Sequence, residues 1–286
     1  MGARLAFARA QMRRALSPKG IAKILTNPGK VMHFLGTELW DVKYRQTPLA
    51  VQIAVLRRSI AAMAEVSQID RPPVAPVIVE DFVGGSSAGS SDTEELRALF
   101  QKYGSDKSTG HNYYLLYSWL LSAKRREDLS MLEIGLGTNN IDVPSNMGLD
   151  GKPGASLRAF RDWAPRIRVF GADVDKRVLF AEERIETFYV DQTQPLVLAE
   201  LAARFAPASF DMIIDDGLHN SEANLNTLLF ALPLLKYNGA LVIEDIGLAD
   251  LPYWQVVFGL LTPKYRGTFL DARGGYVALI LPSSRG

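Results

Sequence analysis

The chain has 286 residues, 48% of them hydrophobic, and a formal net charge of +1 at pH 7. This length predicts one α/β domain of about 190 residues plus an extension, and the balanced charge gives no electrostatic reason to expect nucleic acid as a partner. The absence of cysteine excludes disulfides, thiolate catalysis and thiolate metal sites, so any metal ion must be held by oxygen and imidazole ligands.

The N-terminal part of the chain is basic. Its first 37 residues contain seven Lys or Arg and no acidic residue, with apolar spacing that predicts short amphipathic helices. We interpret residues 1–69 as a helical extension that packs on the main domain or on a second subunit, which predicts a homo-oligomer. The alternative is peripheral contact with an anionic membrane; it is disfavoured because the charges are spread around the helix.

No apolar run approaches the roughly 20 residues that a membrane-spanning helix needs. Together with the lack of cysteine, this predicts a cytoplasmic protein. Residues 70–92 are rich in Pro, Gly and Ser, a composition typical of a linker or a lid. The main domain is therefore expected at residues 93–286.

Within this domain, helical and strand patterns alternate, as they do in a parallel sheet covered by helices on both faces. The predicted helices are 94–104, 112–125, 156–164, 195–206 and 222–236. The predicted parallel strands are 129–135, 167–175, 184–192, 210–216 and 239–245. Residues 265–282 predict two further strands joined at Gly274 and Gly275, an antiparallel hairpin that ends the sheet. The expected fold is a Rossmann-like, seven-stranded α/β sheet.

Acidic residues stand at the ends of five successive predicted strands, where open α/β sheets bind their ligands. They are Glu133, Asp173, Asp191, the pair Asp215 and Asp216, and the pair Glu244 and Asp245. Gly135 and Gly137 follow the first of these strands, and such a turn lets the backbone approach a ligand. It is not a P-loop, and it lacks the third glycine of a dinucleotide fingerprint. Asp173 ends the next strand, where a carboxylate can accept both hydroxyls of a ribose.

Each acid also has a structural interpretation. Asp215 or Asp216 could cap the following helix, and Glu244 with Asp245 could form a strand-end turn. His219 could be an exposed residue of a helical first turn. Their joint position on two neighbouring strand ends favours a functional site over these separate explanations.

The motif Glu-x-Gly-x-Gly at 133–137, the acids after the next two strands and the terminal hairpin resemble the class I S-adenosylmethionine-dependent methyltransferases. Five segments in this order, "YGSDKSTGHNYYLLY", "GASLRAF", "FYVDQTQ", "DDGLH" and "EDI", resemble the magnesium-dependent sugar O-methyltransferases of the mycinamicin type. The resemblance covers residues 97–247.

This resemblance implies that S-adenosylmethionine binds along the ends of the strands. The residues expected to bind it are Ser105, Lys107, Glu133, Gly135, Gly137, Asp173, Asp191, Gln192 and Asp215. Among them, Asp173 would hold the ribose, Asp191 and Gln192 would face the adenine, and Lys107 would lie over the methionine end. Asp215 is left between orienting the cofactor and capping a helix. His111 and Tyr113 are further candidates to cover the cofactor.

The resemblance also implies a magnesium ion held by Asp216, Glu244 and Asp245, with His219 as the catalytic base. A bound divalent ion would lower the pKa of an acceptor hydroxyl, and a histidine with a pKa near 6.5 can accept its proton. The predicted function is O-methylation of a sugar hydroxyl on a glycosylated natural product or a polysaccharide. The alternatives are a catechol-like acceptor and a scaffold that binds the cofactor without turnover.

Overall fold

The structure, a computed structural model, describes residues 75–84 and 89–283. The predicted helical extension at residues 1–69 lies outside the described residues. Among the helices of the described residues, none is long and apolar enough to cross a membrane.

Nine strands and seven α-helices alternate in the described part of the chain. The strands are β1 (Val77–Ile78), β2 (Ser130–Ile134), β3 (Arg168–Asp173), β4 (Ala181–Glu182), β5 (Ile185–Tyr189), β6 (Phe210–Asp215), β7 (Leu235–Ile246), β8 (Tyr265–Ala272) and β9 (Gly275–Pro282). The helices are α1 (Val79–Val83), α2 (Ser91–Tyr103), α3 (Tyr113–Leu121), α4 (Ala155–Trp163), α5 (Pro195–Ala202), α6 (Ser221–Ala231) and α7 (Leu251–Leu261).

All nine strands form one sheet in the order β1-β8-β9-β7-β6-β2-β3-β5-β4. The five strands β7, β6, β2, β3 and β5 are parallel, and β9 is antiparallel to both of its neighbours. The predicted fold class is confirmed, but the predicted number of seven strands is wrong. The two additional strands, β1 and β4, lie at opposite edges of the sheet, and two residues are too few to show a strand period in the sequence.

Residues 77–83, before α2, are part of the folded domain. β1 pairs with β8 in parallel, and α1 buries Val79 and Val83. The Phe82 ring contacts the ring of Trp119 at 5.0 Å in an edge-to-face arrangement. Within the predicted linker or lid, residues 77–83 thus pack on the domain, because apolar side chains there fill a place in the core.

Two hydrophobic layers cover the sheet. One contains buried residues of α1 to α4, and the other contains those of α5 to α7. In the first layer the ring of Phe160 lies 5.2 Å from that of Phe100 and 5.3 Å from that of Tyr117, both edge to face. This aromatic cluster fixes α3 against the sheet and directs the Tyr117 hydroxyl towards the end of β7, where it donates to Glu244.

We expect Phe160→Ala to lower the free energy of unfolding by about 3–5 kcal/mol, because it removes a fully buried ring and leaves a cavity. Urea denaturation would measure the change. The control is Leu229→Ala on α6, since Leu229 is 62% exposed and its loss should change stability by less than about 0.5 kcal/mol. Similar midpoints for both variants would contradict the assigned packing of α3 on α4.

Candidate cofactor and metal site

A cavity of about 590 Å³ lies at the carboxyl ends of the central parallel strands. Ten of the predicted site residues line it: Ser105, Lys107, Gly135, Gly137, Asp173, Asp191, Gln192, Asp216, His219 and Asp245. The other three predicted residues, Glu133, Asp215 and Glu244, are fully buried and lie behind the cavity wall. The structure thus brings most of the predicted site together and divides it into two layers.

The glycine turn after β2 packs directly against the end of β6. Gly135 has φ +98°, and a Cβ atom there would lie 2.0 Å from the carbonyl oxygen of Asp216. Only glycine tolerates both this backbone conformation and this contact. The turn therefore brings the end of β2, which carries predicted cofactor-binding residues, into contact with the end of β6, which carries a predicted metal ligand.

Asp173 ends β3 and lines the cavity. Its Oδ2 accepts the Leu136 amide at 2.8 Å, and its Oδ1 accepts the Asp175 amide at 2.8 Å. Burial raises the pKa of Asp173, although these backbone hydrogen bonds oppose the rise. The backbone donors do not use every acceptor position of the carboxylate, so it can still accept a hydroxyl group from a ligand.

Gln192 lines the cavity, but its amide is engaged within the protein. Its Nε2 donates to Asp215 Oδ1 at 2.6 Å and to Thr227 Oγ1 at 2.8 Å, and its Oε1 accepts the Leu218 amide at 2.8 Å. Both amide hydrogens are thereby used. The neighbouring Asp191 accepts the Thr193 amide at 2.9 Å and remains partly exposed at the cavity wall.

Asp215 does not cap α6 and does not line the cavity. Its carboxylate is fully buried, accepts Gln192 and also accepts Asn224 Nδ2 at 3.0 Å; burial raises its pKa. The cap of α6 is Asn220, whose Oδ1 accepts the amide of Ala223 at 2.9 Å. Asp215 instead joins the end of β6 to the body of α6 and to the strand-end loop after β5.

A buried lysine contacts three acids at and behind the cavity wall. Lys107 is 1% exposed, and its Nζ lies 2.6 Å from Asp216 Oδ2, 2.7 Å from Glu244 Oε2 and 3.3 Å from Glu133 Oε1. Burial alone would lower the pKa of Lys107, but these three carboxylates outweigh burial and raise the pKa well above its ordinary value. The side chain predicted to lie over the methionine end is therefore an ammonium held among acids.

Glu133 and Glu244 depend on this ammonium and on two hydroxyl donors. Ser156 donates to Glu133 Oε2 at 2.7 Å, and Tyr117 donates to Glu244 Oε1. Burial raises the pKa of Glu133 to about 7, with Lys107 acting in the opposite direction. Burial, together with the charge of Asp216, also raises the pKa of Glu244.

Three side chains converge at the cavity surface. Asp216, His219 and Asp245 each offer one ligand atom, and these atoms lie within 4.8 Å of one another. His219 Nε2 is 3.9 Å from Asp216 Oδ1 and 3.8 Å from Asp245 Oδ2. Carboxylate oxygen and imidazole nitrogen suit a divalent cation, so these residues fit the predicted metal. Of the three predicted metal ligands, Glu244 faces the Lys107 ammonium and is not part of this converging group.

Asp245 has an unusual backbone conformation. Its φ is +53°, a left-handed value that is costly for a residue with a side chain and is often found at functional sites. The β7–β9 pairing changes register between Ile243 and Ile246, so the strand is irregular where the acidic pair occurs.

Helix α3 contributes contacts to the site that were not predicted from the sequence. Tyr113 donates from its hydroxyl to Asp245 Oδ1 at 2.6 Å, and His111 stacks on the Tyr113 ring at 4.5 Å. Neither residue lines the cavity, and their role in covering the cofactor stays a prediction. The four-residue interval between Tyr113 and Tyr117, which puts both hydroxyls on one helix face, was the available signal.

The loop between the glycine turn and α4 forms one wall of the cavity through residues 143–147. Asn139 Nδ2 donates to the carbonyl oxygen of Gly148 at 2.6 Å and to that of Gly151 at 2.9 Å. These bonds close the loop on itself. Met147, within it, is 44% exposed and supplies an apolar surface at the cavity.

No family model matches the chain, but curated relatives do. The chain is 31% identical over 202 residues to 8-demethyl-8-alpha-L-rhamnosyl tetracenomycin-C 2'-O-methyltransferase of Streptomyces olivaceus, a match that covers 71% of this chain and 47% of the relative. It is 34% identical over 175 residues to demethylmacrocin O-methyltransferase of Streptomyces fradiae, covering 60% of this chain and 40% of the relative. The chain spans less than half the length of these relatives.

Among solved structures, the chain is similar to the MycE methyltransferase from the mycinamycin biosynthetic pathway in complex with Mg, SAH and mycinamycin VI. The TM-score is 0.54 and the identity 24%, over 66% of this chain and 54% of the other. The chain has the class I methyltransferase fold. The sugar O-methyltransferases named above are its homologues, as the resemblance predicted.

We expect Glu133→Gln to alter the pH dependence of the free energy of unfolding of this protein, measured without divalent ions. The Glu133 pKa of about 7 exceeds its ordinary value of 4.5, so between these pH values the folded state holds a proton that the unfolded state releases. The contribution of Glu133 to stability is therefore fully present below pH 4.5 and is lost as the pH rises towards 7.

Relative to the wild type, the variant should gain about 3 kcal/mol of unfolding free energy between pH 4.5 and 7. Urea denaturation in EDTA at both pH values would measure this. The exposed Glu94→Gln serves as the control. Parallel pH dependence in wild type and Glu133→Gln would show that Glu133 is already ionised at the lower pH.

Proposed function

We propose that this chain is an S-adenosylmethionine- and magnesium-dependent O-methyltransferase that acts on a sugar hydroxyl of a glycosylated natural product or polysaccharide. The observation that carries the proposal is the convergence of Asp216, His219 and Asp245 at the cavity that also contains the glycine turn and Asp173. The names of the curated relatives, which are O-methyltransferases of glycosylated compounds, support the same activity.

For the cofactor, we assign the ribose to Asp173, because its carboxylate reaches the cavity and keeps free acceptor positions. The exposed Val174 and the partly exposed Leu218 offer apolar surfaces of the wall to the adenine ring. Asp191 faces the same part of the cavity. Gln192 shapes the cavity wall and makes no hydrogen bond to the cofactor with its amide hydrogens, which are used within the protein. Ser105 would contact the methionine end.

For the metal, we assign Asp216 and Asp245 as the ligands that face the cavity and Glu244 as the third acid, which joins them only when Lys107 withdraws from it. Three carboxylates, those of Glu133, Asp216 and Glu244, contact the single ammonium of Lys107, and Asp245 adds a fourth acid at the cavity. This excess of negative charge favours a divalent cation. When bound, a magnesium ion supplies the positive charge that makes an adjacent hydroxyl more acidic.

His219 supplies the base in this proposal. Its Nε2 faces the space between Asp216 and Asp245, and its side chain is 37% exposed, so a hydroxyl there can transfer its proton to the imidazole and the histidine can release it to water. The two aspartates hold the protonated ring electrostatically. S-adenosylmethionine would supply the methyl group to the oxygen that has lost its proton and would leave as S-adenosylhomocysteine.

We also retain three proposals for the rest of the protein. Residues 1–69 form a helical extension that packs on the domain or on a second subunit, supported by its apolar spacing. The protein acts in the cytoplasm, supported by the lack of cysteine, and assembles as a homo-oligomer. Membrane contact through the basic segment stays the disfavoured alternative, and nucleic acid is not an expected partner.

The metal assignment is tested by chelation. We expect EDTA to abolish methyl transfer and added Mg²⁺ to restore it, because the hydroxyl loses its acidifying ion. Asp216→Asn should require at least ten-fold more Mg²⁺ for half-maximal rate, since a ligand charge is lost. Asp128→Asn is the control, because Asp128 is an exposed residue paired with Arg166. Full turnover in EDTA would exclude the metal mechanism.

The base assignment is tested with His219→Ala. We expect kcat to fall by about 10²–10⁴-fold, the usual contribution of a general base, while the Kd for S-adenosylmethionine, measured by calorimetry, stays within two-fold. Loss of cofactor binding in this variant would instead indicate that His219 supports the cavity structurally.

The acceptor class is tested by comparing rates on rhamnosylated polyketides, other methylation-deficient glycosides and catechols under saturating cofactor. We expect transfer to a sugar hydroxyl, detected by the mass of the product and the position of the new methyl. Transfer to catechols alone would favour the narrower alternative, and cofactor binding without transfer to any acceptor would favour the scaffold.

A further inference from the structure

The two oxygens of Asp245 lie in different surroundings. Oδ1 accepts the Tyr113 hydroxyl at 2.6 Å, on the side of the residue that faces α3. Oδ2 lies 3.8 Å from His219 Nε2, on the side that faces the cavity. The carboxylate is thus held in one orientation, with one oxygen occupied by the protein and the other presented outwards.

The Tyr113 hydroxyl is itself held firmly. The residue is 1% exposed, and the His111 ring stacks on it at 4.5 Å with an interplanar angle of 7°. His111 is anchored in turn by Nδ1, 2.8 Å from the Arg273 carbonyl oxygen in the β8–β9 turn. His111 Nε2 is 4.0 Å from Asp245 Oδ1, which is too far for a hydrogen bond, so the phenol is the group that contacts this oxygen.

The backbone on the opposite side is shaped to allow this contact. A Cβ atom on Gly275, the first residue of β9, would lie 2.9 Å from Asp245 Oδ1 and 3.1 Å from the Tyr113 hydroxyl. The absence of a side chain there leaves room for the pair. Asp245 itself adopts φ +53°, a strained conformation that surrounding contacts must maintain.

We propose that Tyr113 is the positioning residue of the metal site: its hydroxyl holds Asp245 Oδ1 inward, so that Oδ2 alone is presented to a divalent cation beside Asp216. This rests on the proposed metal dependence and extends it to a residue outside the cavity wall. Hydrogen-bonded partners of ligating carboxylates orient them before the cation arrives, and their removal typically weakens metal binding by about 10–100-fold.

The experiment measures binding of Mn²⁺ as a probe cation by electron paramagnetic resonance, with the full-length chain and without an acceptor. Tyr113→Phe keeps the buried ring and removes only the hydroxyl. We expect its Kd for Mn²⁺ to rise about 10–100-fold, while the Kd for S-adenosylmethionine stays within two-fold. The control is Tyr114→Phe, because Tyr114 is adjacent on α3 and its ring lies 5.7 Å from the Arg97 guanidinium, away from Asp245.

A second variant, Gly275→Ala, approaches Asp245 from the other side and should also weaken Mn²⁺ binding, by displacing the carboxylate. Tyr113→Phe with unchanged Mn²⁺ affinity overturns the inference, as does an equal loss in Tyr114→Phe, which would indicate general loosening of α3. A wild-type chain that binds no Mn²⁺ overturns the proposed metal dependence itself, so the two failures can be told apart.

Discussion

The ammonium of Lys107 holds the site together. It contacts acids from β2, β6 and β7, which are neighbours in the sheet, and so it joins three strand ends at one point. Burying Glu133 or Glu244 as an isolated charge would cost several kcal/mol, and burying the ammonium alone would be equally unfavourable. The lysine and the acids are buried only because each compensates the others.

Around this ion cluster, the two acidic pairs divide in the same way. In each pair the first residue, Asp215 or Glu244, is fully buried, and the second, Asp216 or Asp245, faces the cavity. Successive side chains of a strand point to opposite sides, so a pair of acids at a strand end supplies one buried anchor and one carboxylate that faces the cavity. The doublets in the sequence therefore reflect two different tasks, and hydrogen-bond donors from α3, α4, α6 and the Lys107 turn complete the buried layer.

The methyltransferase fold places these acids beside the glycine turn, so that the turn and the converging side chains of Asp216, His219 and Asp245 share one cavity. Contact between Gly135 and the Asp216 backbone means that the two cannot move independently. The chain matches its curated homologues over less than half of their length. The proposed chemistry depends on residues that belong to the described domain.

The alternating α/β order, the parallel sheet with its final hairpin and the acids at one edge of the sheet follow from the sequence, because strand and helix periods are local. Which acids face the cavity depends on the fold, since Lys107, Tyr113 and Tyr117 reach Glu244 and Asp245 from more than 120 positions away. The edge strands β1 and β4 were also beyond prediction: two residues have no period, and only pairing with a neighbour defines them. Local sequence patterns specify the helices and strands. The partners of the buried charges are distant in the sequence and come together only in the folded protein.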